Sequence, residues 1–193
     1  MIPFQVQLAA PTLSRVAISH AVQALTCSAE QPRQLMIADM SLPSNKPRLW
    51  VFRLSDDGAS IELIKKTFVA HGAGSDPDRT GQATSFSNTP GSDMTSLGLY
   101  VVGSAYTGKH GKSYQLEGLS RSDSNAKARA VVFHPADYVR LNGIVGRSNG
   151  CPAINPADFK ALDKTFGGMS GAMLWIDGPG AKPAQCACVE GGV

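Results

Sequence analysis

Short apolar runs separated by dense turn chemistry constrain this chain more than any other feature. Residues 34–40, 48–54, 61–70, 97–104, 114–119, 130–134 and 172–177 are rich in Leu, Ile, Val, Phe and Trp, and each is too short to make a core helix. Pro43-Ser44-Asn45-Lys46-Pro47 and Asp56-Asp57-Gly58 fall between the first three, as expected of antiparallel strands joined by turns. With 20 Gly and 12 Pro among 193 residues, the chain predicts a loop-rich, mainly β domain, β-rich α+β in class. Such a length suits one core rather than two unrelated ones. The polar stretch 72–93 interrupts the strand pattern and reads as a functional or mobile loop.

Two segments carry a helical period instead. Leu13, Val16, Ala17, Ala21, Ala24 and Leu25, with Pro11-Thr12 as a start signal, predict an N-terminal amphipathic helix of about four turns beginning at Thr12. His20 falls within it and reads as structural or exposed. Asn155-Pro156-Ala157-Asp158 supplies an N-cap, a first-turn proline and an acid, and Phe159, Leu162 and Phe166 an apolar face, with Gly167-Gly168 as the stop. The expected division is 1–33 for the N-terminal helix and lead-in, 34–177 for a catalytic domain, and 178–193 for an irregular tail.

Several functions are disfavoured at the level of composition. Net charge is +3, but the 18 Lys and Arg are scattered rather than gathered into a stripe, which argues against nucleic-acid binding. No apolar run approaches the roughly 20 residues of a membrane span. The opening residues lack the basic and apolar regions of a secretory signal, which leaves a cytoplasmic protein or one whose leader was removed. Cys27, Cys151, Cys186 and Cys188 fit no usual zinc spacing, and neither a metal nor a cofactor is expected. Cys27 could pair with Cys186 or Cys188 in an oxidising compartment. Ser124-Asn125-Ala126-Lys127 satisfies the Ser-x-x-Lys pattern of penicillin-binding enzymes, but no Lys-Thr-Gly accompanies it.

The chemistry concentrates in Gly146-Arg147-Ser148-Asn149-Gly150-Cys151-Pro152, with His134 seventeen positions upstream. A cysteine behind a tight glycine turn, with an imidazole to take its proton, is the minimum equipment for thiolate acyl transfer. Taken alone, His134 could equally be a hydrogen-bonded core histidine at a strand end.

Ser41-Leu42-Pro43-Ser44 before Arg48-Leu49-Trp50, Val69-Ala70-His71-Gly72 before Gly74-Ser75, and Phe86-Ser87-Asn88 extend the pattern. Ser96-Leu97-Gly98-Leu99-Tyr100, Gly108-Lys109-His110-Gly111 and Arg129-Ala130-Val131-Val132-Phe133-His134 continue it toward the cysteine. In this order the segments resemble the YkuD-type L,D-transpeptidases, in the murein L,D-transpeptidase branch, across most of the chain. The resemblance implies a YkuD-like catalytic fold and cofactor-free acyl transfer on peptidoglycan stem peptides, forming 3,3 or 1,3 cross-links through a thioester on Cys151. It places the protein in the periplasm or cell envelope and leaves the oligomeric state open. The same chemistry with water as acceptor would be an L,D-carboxypeptidase, and a non-catalytic peptidoglycan-binding module is the alternative of another class.

Within that resemblance His134 is the base and the main-chain carbonyl of Pro135 its orienting partner, with Asp137 as a weaker side-chain substitute. Many relatives carry His where Asn149 stands, so a side-chain role there is in doubt. The backbone N–H groups of Asn149, Gly150 and Cys151 are the candidate oxyanion hole, whereas Pro152 has none to donate. Arg147 and Arg129 are candidates to bind substrate carboxylates, or else cations that stabilise the fold. Ser148 either contacts substrate or braces its turn. His71 either lines the cleft or belongs to the loop architecture, and Tyr100 and Tyr106 either wall the stem peptide or pack in the core.

Overall fold

The computed structural model describes residues 2–28, 32–142 and 145–182. Its centre is an eight-stranded sheet in the order β3-β2-β1-β8-β4-β5-β6-β7. The strands are β1 (Gln34–Asp39), β2 (Leu49–Leu54), β3 (Ile61–Thr67), β4 (Gly98–Gly108), β5 (Gly111–Gly118), β6 (Val132–Pro135), β7 (Ala153–Ile154) and β8 (Met173–Asp177). Three helices accompany them: α1 (Ile2–Ala9), α2 (Arg15–Thr26) and α3 (Pro156–Phe166).

Strand β1 lies inside the sheet, antiparallel to β2 and parallel to β8. Its near-continuous apolar run follows from burial on both faces. Leu35 and Ile37 join Trp50, Phe52, Leu99, Met173 and Trp175 beneath α1 and α2, while Met36 and Ala38 join Val51, Tyr100, Leu174 and Ile176 on the opposite face. Successive residues point to opposite faces of a strand, so one short segment supplies two cores. Phe159 and Leu162 of α3 close the second core against Phe133 and Tyr114.

The N-terminal helix differs from expectation. Instead of one helix from Thr12 there are two, separated by a turn at Pro11, and α2 begins after Ser14, whose hydroxyl accepts hydrogen bonds from the N–H groups of Val16 and Ala17. A serine able to satisfy two orphan first-turn donors outcompetes Thr12 as the cap. His20 holds α2 to the sheet through Asp177, Nδ1 to Oδ1 at 2.8 Å. The helix after the cysteine is as read: Asn155 caps it through Ala157 N–H, and Gly167 ends it at φ 66°.

The third strand is shorter than its apolar run suggests, ending at Thr67. Beyond it the chain crosses to the far edge, where Ala70 N–H donates to Ala153 O at 2.8 Å. That bridge joins the two ends of the strand order and curls the sheet into a barrel-like form. Strand β7 is absent from the expected set; two residues hold too little pattern to be read. Cys27 is disulfide-bonded. The suggested partners Cys186 and Cys188, and most of the expected tail, lie outside the described residues.

Candidate active site

The segment that closes the barrel is also the one that carries Cys151. On one side β7 pairs in parallel with β6, His134 opposite Ala153 and Pro135 opposite Ile154. On the other side Ser148 N–H donates to His71 O at 2.9 Å and Ala73 N–H to Ser148 O at 2.7 Å. Residues 148–154 are thereby held from both flanks. The result joins two positions far apart in sequence: His134 N–H reaches Pro152 O at 3.4 Å, and Val132 N–H reaches Cys151 Sγ at 3.4 Å.

The imidazole of His134 has a defined orientation. Its Nδ1 lies 2.9 Å from Pro135 O, and because a carbonyl only accepts, Nδ1 carries the hydrogen. In the neutral ring Nε2 then keeps its lone pair.

Close backbone approach explains the glycines here. Gly150 has φ 113°, and a Cβ on it would stand 2.8 Å from Met94 O and 3.1 Å from an Arg129 Nη. A Cβ on Gly72 would meet Asp93 O at 2.2 Å and the Gly150 Cα at 2.8 Å. The loop up to residue 96 therefore packs directly on the cysteine turn.

A sequence model of the L,D-transpeptidase catalytic domain matches residues 9–175. The chain belongs to this family. No curated protein sequence matches it. The fold is similar to the helical cell shape determining protein Pgp2 from Campylobacter jejuni, at 10% identity and TM-score 0.53, covering 86% of this chain and 58% of that one. An L,D-transpeptidase from Mycobacterium smegmatis matches at 14% identity and TM-score 0.44, over 76% of this chain and 59% of that one. The chain thus spans somewhat under two thirds of the length of these structures.

Against the expectations for an L,D-transpeptidase site, the polar residues divide sharply. His71 is fully buried, with Nδ1 at 2.6 Å from an Arg48 Nη and Nε2 at 3.4 Å from Asp76 Oδ2, so its ring does not line the cleft. Arg48, also fully buried, donates to the carbonyls of Val69 and Leu42. Tyr100 is likewise buried, its hydroxyl bonded at Ser96, and belongs to the core rather than to an aromatic wall. Tyr106 is 39% exposed and remains able to touch a ligand.

Ser148 braces the turn: its Oγ donates to Cys151 O at 2.6 Å and accepts from Gly150 N–H at 3.1 Å. The latter bond engages the Gly150 donor, one of the three N–H groups expected to form the oxyanion hole. The N–H groups of Asn149 and Cys151 make no hydrogen bond among the described residues. Arg147 donates to the carbonyls of Ala73 and Asp76. Arg129 donates to Ser87 O, Ser96 Oγ and Met94 O, which pins the loop beside Gly150. Both arginines are half-buried and engaged with the fold, Arg129 through both Nη atoms and Arg147 through one.

Burial dominates the electrostatics. It pushes the Cys151 thiol up, opposed by the Val132 N–H and by the charges of Arg129 and Lys109. It pushes His134 down to about 4, with Pro135 O pulling back and His110 and Lys109 adding to the depression. His71 falls to about 4 as well, from burial first and the Arg48 charge second. At neutral pH the cysteine and His134 are therefore both uncharged at rest.

The residue that sequence reasoning left without a role is His110. Its ring stacks on His134 with centroids 4.1 Å apart and planes 28° off parallel. Gly108-Lys109-His110-Gly111 was a visible segment of the family pattern, but nothing local says that this hairpin tip reaches His134. Tyr138 is a second omission, its ring edge-on to His134 at 6.5 Å. Among the described residues no three His, Cys, Asp or Glu converge to hold a metal ion, and no helix is long and apolar enough to cross a membrane.

Proposed function

We propose that this L,D-transpeptidase domain cross-links peptidoglycan stem peptides through a thioester on Cys151. The observation that carries the reading is that strand pairing sets the Cys151 segment beside the strand of His134, whose Nδ1–H is tied to Pro135 O. A neutral imidazole held in that tautomer has one free basic nitrogen, which is what a neutral thiol needs before it can attack.

In the acylation step His134 Nε2 takes the thiol proton as sulfur attacks the stem-peptide carbonyl. The S–C bond forms, the C–N bond breaks, and the imidazolium returns the proton to the departing amine. An amine on a neighbouring stem then attacks the thioester, losing its proton to His134 and releasing the sulfur. The N–H groups of Asn149 and Cys151 serve the oxyanion, two donors where the sequence suggested three. Depression of the imidazole by burial keeps the base deprotonated well below neutral pH, whereas the raised thiol means that thiolate forms only by transfer to His134. Arg129 and Lys109 favour that transfer by stabilising negative charge on sulfur. Peptidoglycan as substrate sets the site of action in the cell envelope.

Incubation with purified muropeptides, with products identified by mass spectrometry, tests the reading. Cross-linked dimers that disappear with Cys151→Ala are the expected result, with a loss of at least about 10³-fold for a nucleophile deletion. Shortened monomers alone would make the domain an L,D-carboxypeptidase, and full cross-linking by Cys151→Ala would sink the mechanism.

A further inference from the structure

The hairpin joining β4 to β5 extends beyond the body of the sheet. From Ser104 to Gly108 its residues are exposed, and the register shifts between Val102 and Ala105. Gly108 pairs with Gly111, so Lys109 and His110 form the two-residue tip, and Gly111 takes φ 74°. That left-handed conformation directly after the tip is one that glycine adopts without a steric cost.

That tip is where the His110 ring lies against His134. His110 is itself only partly exposed, whereas His134 retains 2% of its surface. His134 is thus enclosed by the His110 ring from the hairpin, the Tyr138 edge from the segment after β6, the Pro135 carbonyl from its own strand, and the nucleophile segment. Lys109 is the cation that acts on it from the same tip, and Arg129 acts on the neighbouring Cys151.

We propose that His110 is a positioning residue for the base: its flat ring covers one face of the His134 imidazole, holding the ring plane and excluding water. This rests on His134 being the base of the proposed reaction. A ring at stacking distance restricts rotation of its neighbour and removes solvent from one face while leaving the edge nitrogens free. Rotation is the specific hazard, because His134 is useful only while Nδ1 faces Pro135 O.

Titration of the His134 ring by ¹H–¹⁵N NMR in wild type, His110→Ala and His110→Phe tests this without any substrate. In His110→Ala the midpoint should rise by at least about one pH unit toward the ordinary imidazole value, because water regains the ring face. In His110→Phe, which keeps a flat uncharged ring, it should stay within about half a unit of wild type. The acid limb of kcat/KM on muropeptides should follow the same order, with kcat falling more than KM changes in His110→Ala. An unchanged His134 midpoint in His110→Ala overturns the proposal, and so does an equal rise in His110→Phe. Should alanine unfold the hairpin, His110→Gln poses the same question with a polar side chain and no ring. Lack of cross-linking by the wild type would defeat the proposed function, yet the NMR comparison would still decide whether His110 shields His134.

Discussion

His134 and His71 are two buried histidines, both driven down to about 4 by burial, and their surroundings differ. In the His71 region both ring nitrogens have partners, Arg48 on one side and Asp76 on the other, and the carbonyl of the same residue holds Ser148. In the His134 region one nitrogen is tied to Pro135 O, and a second ring covers the face. Burial and protonation preference are therefore the same in the two places, and hydrogen bonding and the stacked ring separate them. A histidine with both nitrogens engaged sets geometry; one with a free nitrogen can move a proton.

The largest effect expected from this contrast is on activity. His134→Gln should lower kcat/KM by about 10²–10⁴-fold with little change in melting temperature, whereas His71→Gln should mainly lower the melting temperature. Paired assays and thermal melts of the two variants check it, and the reverse pattern would break the distinction. Next comes the frame itself: Arg48→Met leaves the carbonyls of Val69 and Leu42 and the His71 ring without their donor. Breaking a buried charged cluster in this way should cost about 3–5 kcal/mol, measurable by urea unfolding, and a neutral result would mean that the cluster does not hold the loop.

The third expectation concerns pH. Unfolded histidines bind protons near 6.5, whereas folded His71 and His134 bind them near 4. Between those values the unfolded chain carries more protons, so this contribution to stability is complete above about 6.5 and is lost as pH falls through about 4. Denaturation midpoints across that window should decline with acid, and each glutamine variant should remove part of the slope. A slope that neither variant alters would assign the acid sensitivity elsewhere. The smallest effect belongs to Ser148→Ala, which removes the bonds to Cys151 O and Gly150 N–H at about 1 kcal/mol. If its activity rises, the released Gly150 donor is serving the oxyanion after all.

Much of the fold was legible because its determinants are local. The strands over 34–39, 49–54 and 173–177 follow from runs whose residues are buried on both faces, and α3 from Asn155, Pro156 and Gly167 at its ends. The start of α2 was misread because Thr12 and Ser14 are both acceptable caps and only one is met by the following N–H groups. The roles of His71 and Tyr100 were open for a related reason: a polar aromatic side chain is compatible with core or cleft until its neighbours are known.

By itself the sequence determined most of the strands and the helix after the cysteine, since each depends on neighbours within a few positions, and it put forward Cys151 and His134 as an expectation. Tertiary structure alone decided that Ala70 closes the sheet on Ala153, that Gly150 N–H is engaged by Ser148, and that the hairpin tip brings His110 onto His134. Those outcomes depend on which distant segments fit within a few ångströms of each other. Long-range fit depends on the packing of the whole barrel and is written in no single stretch of it.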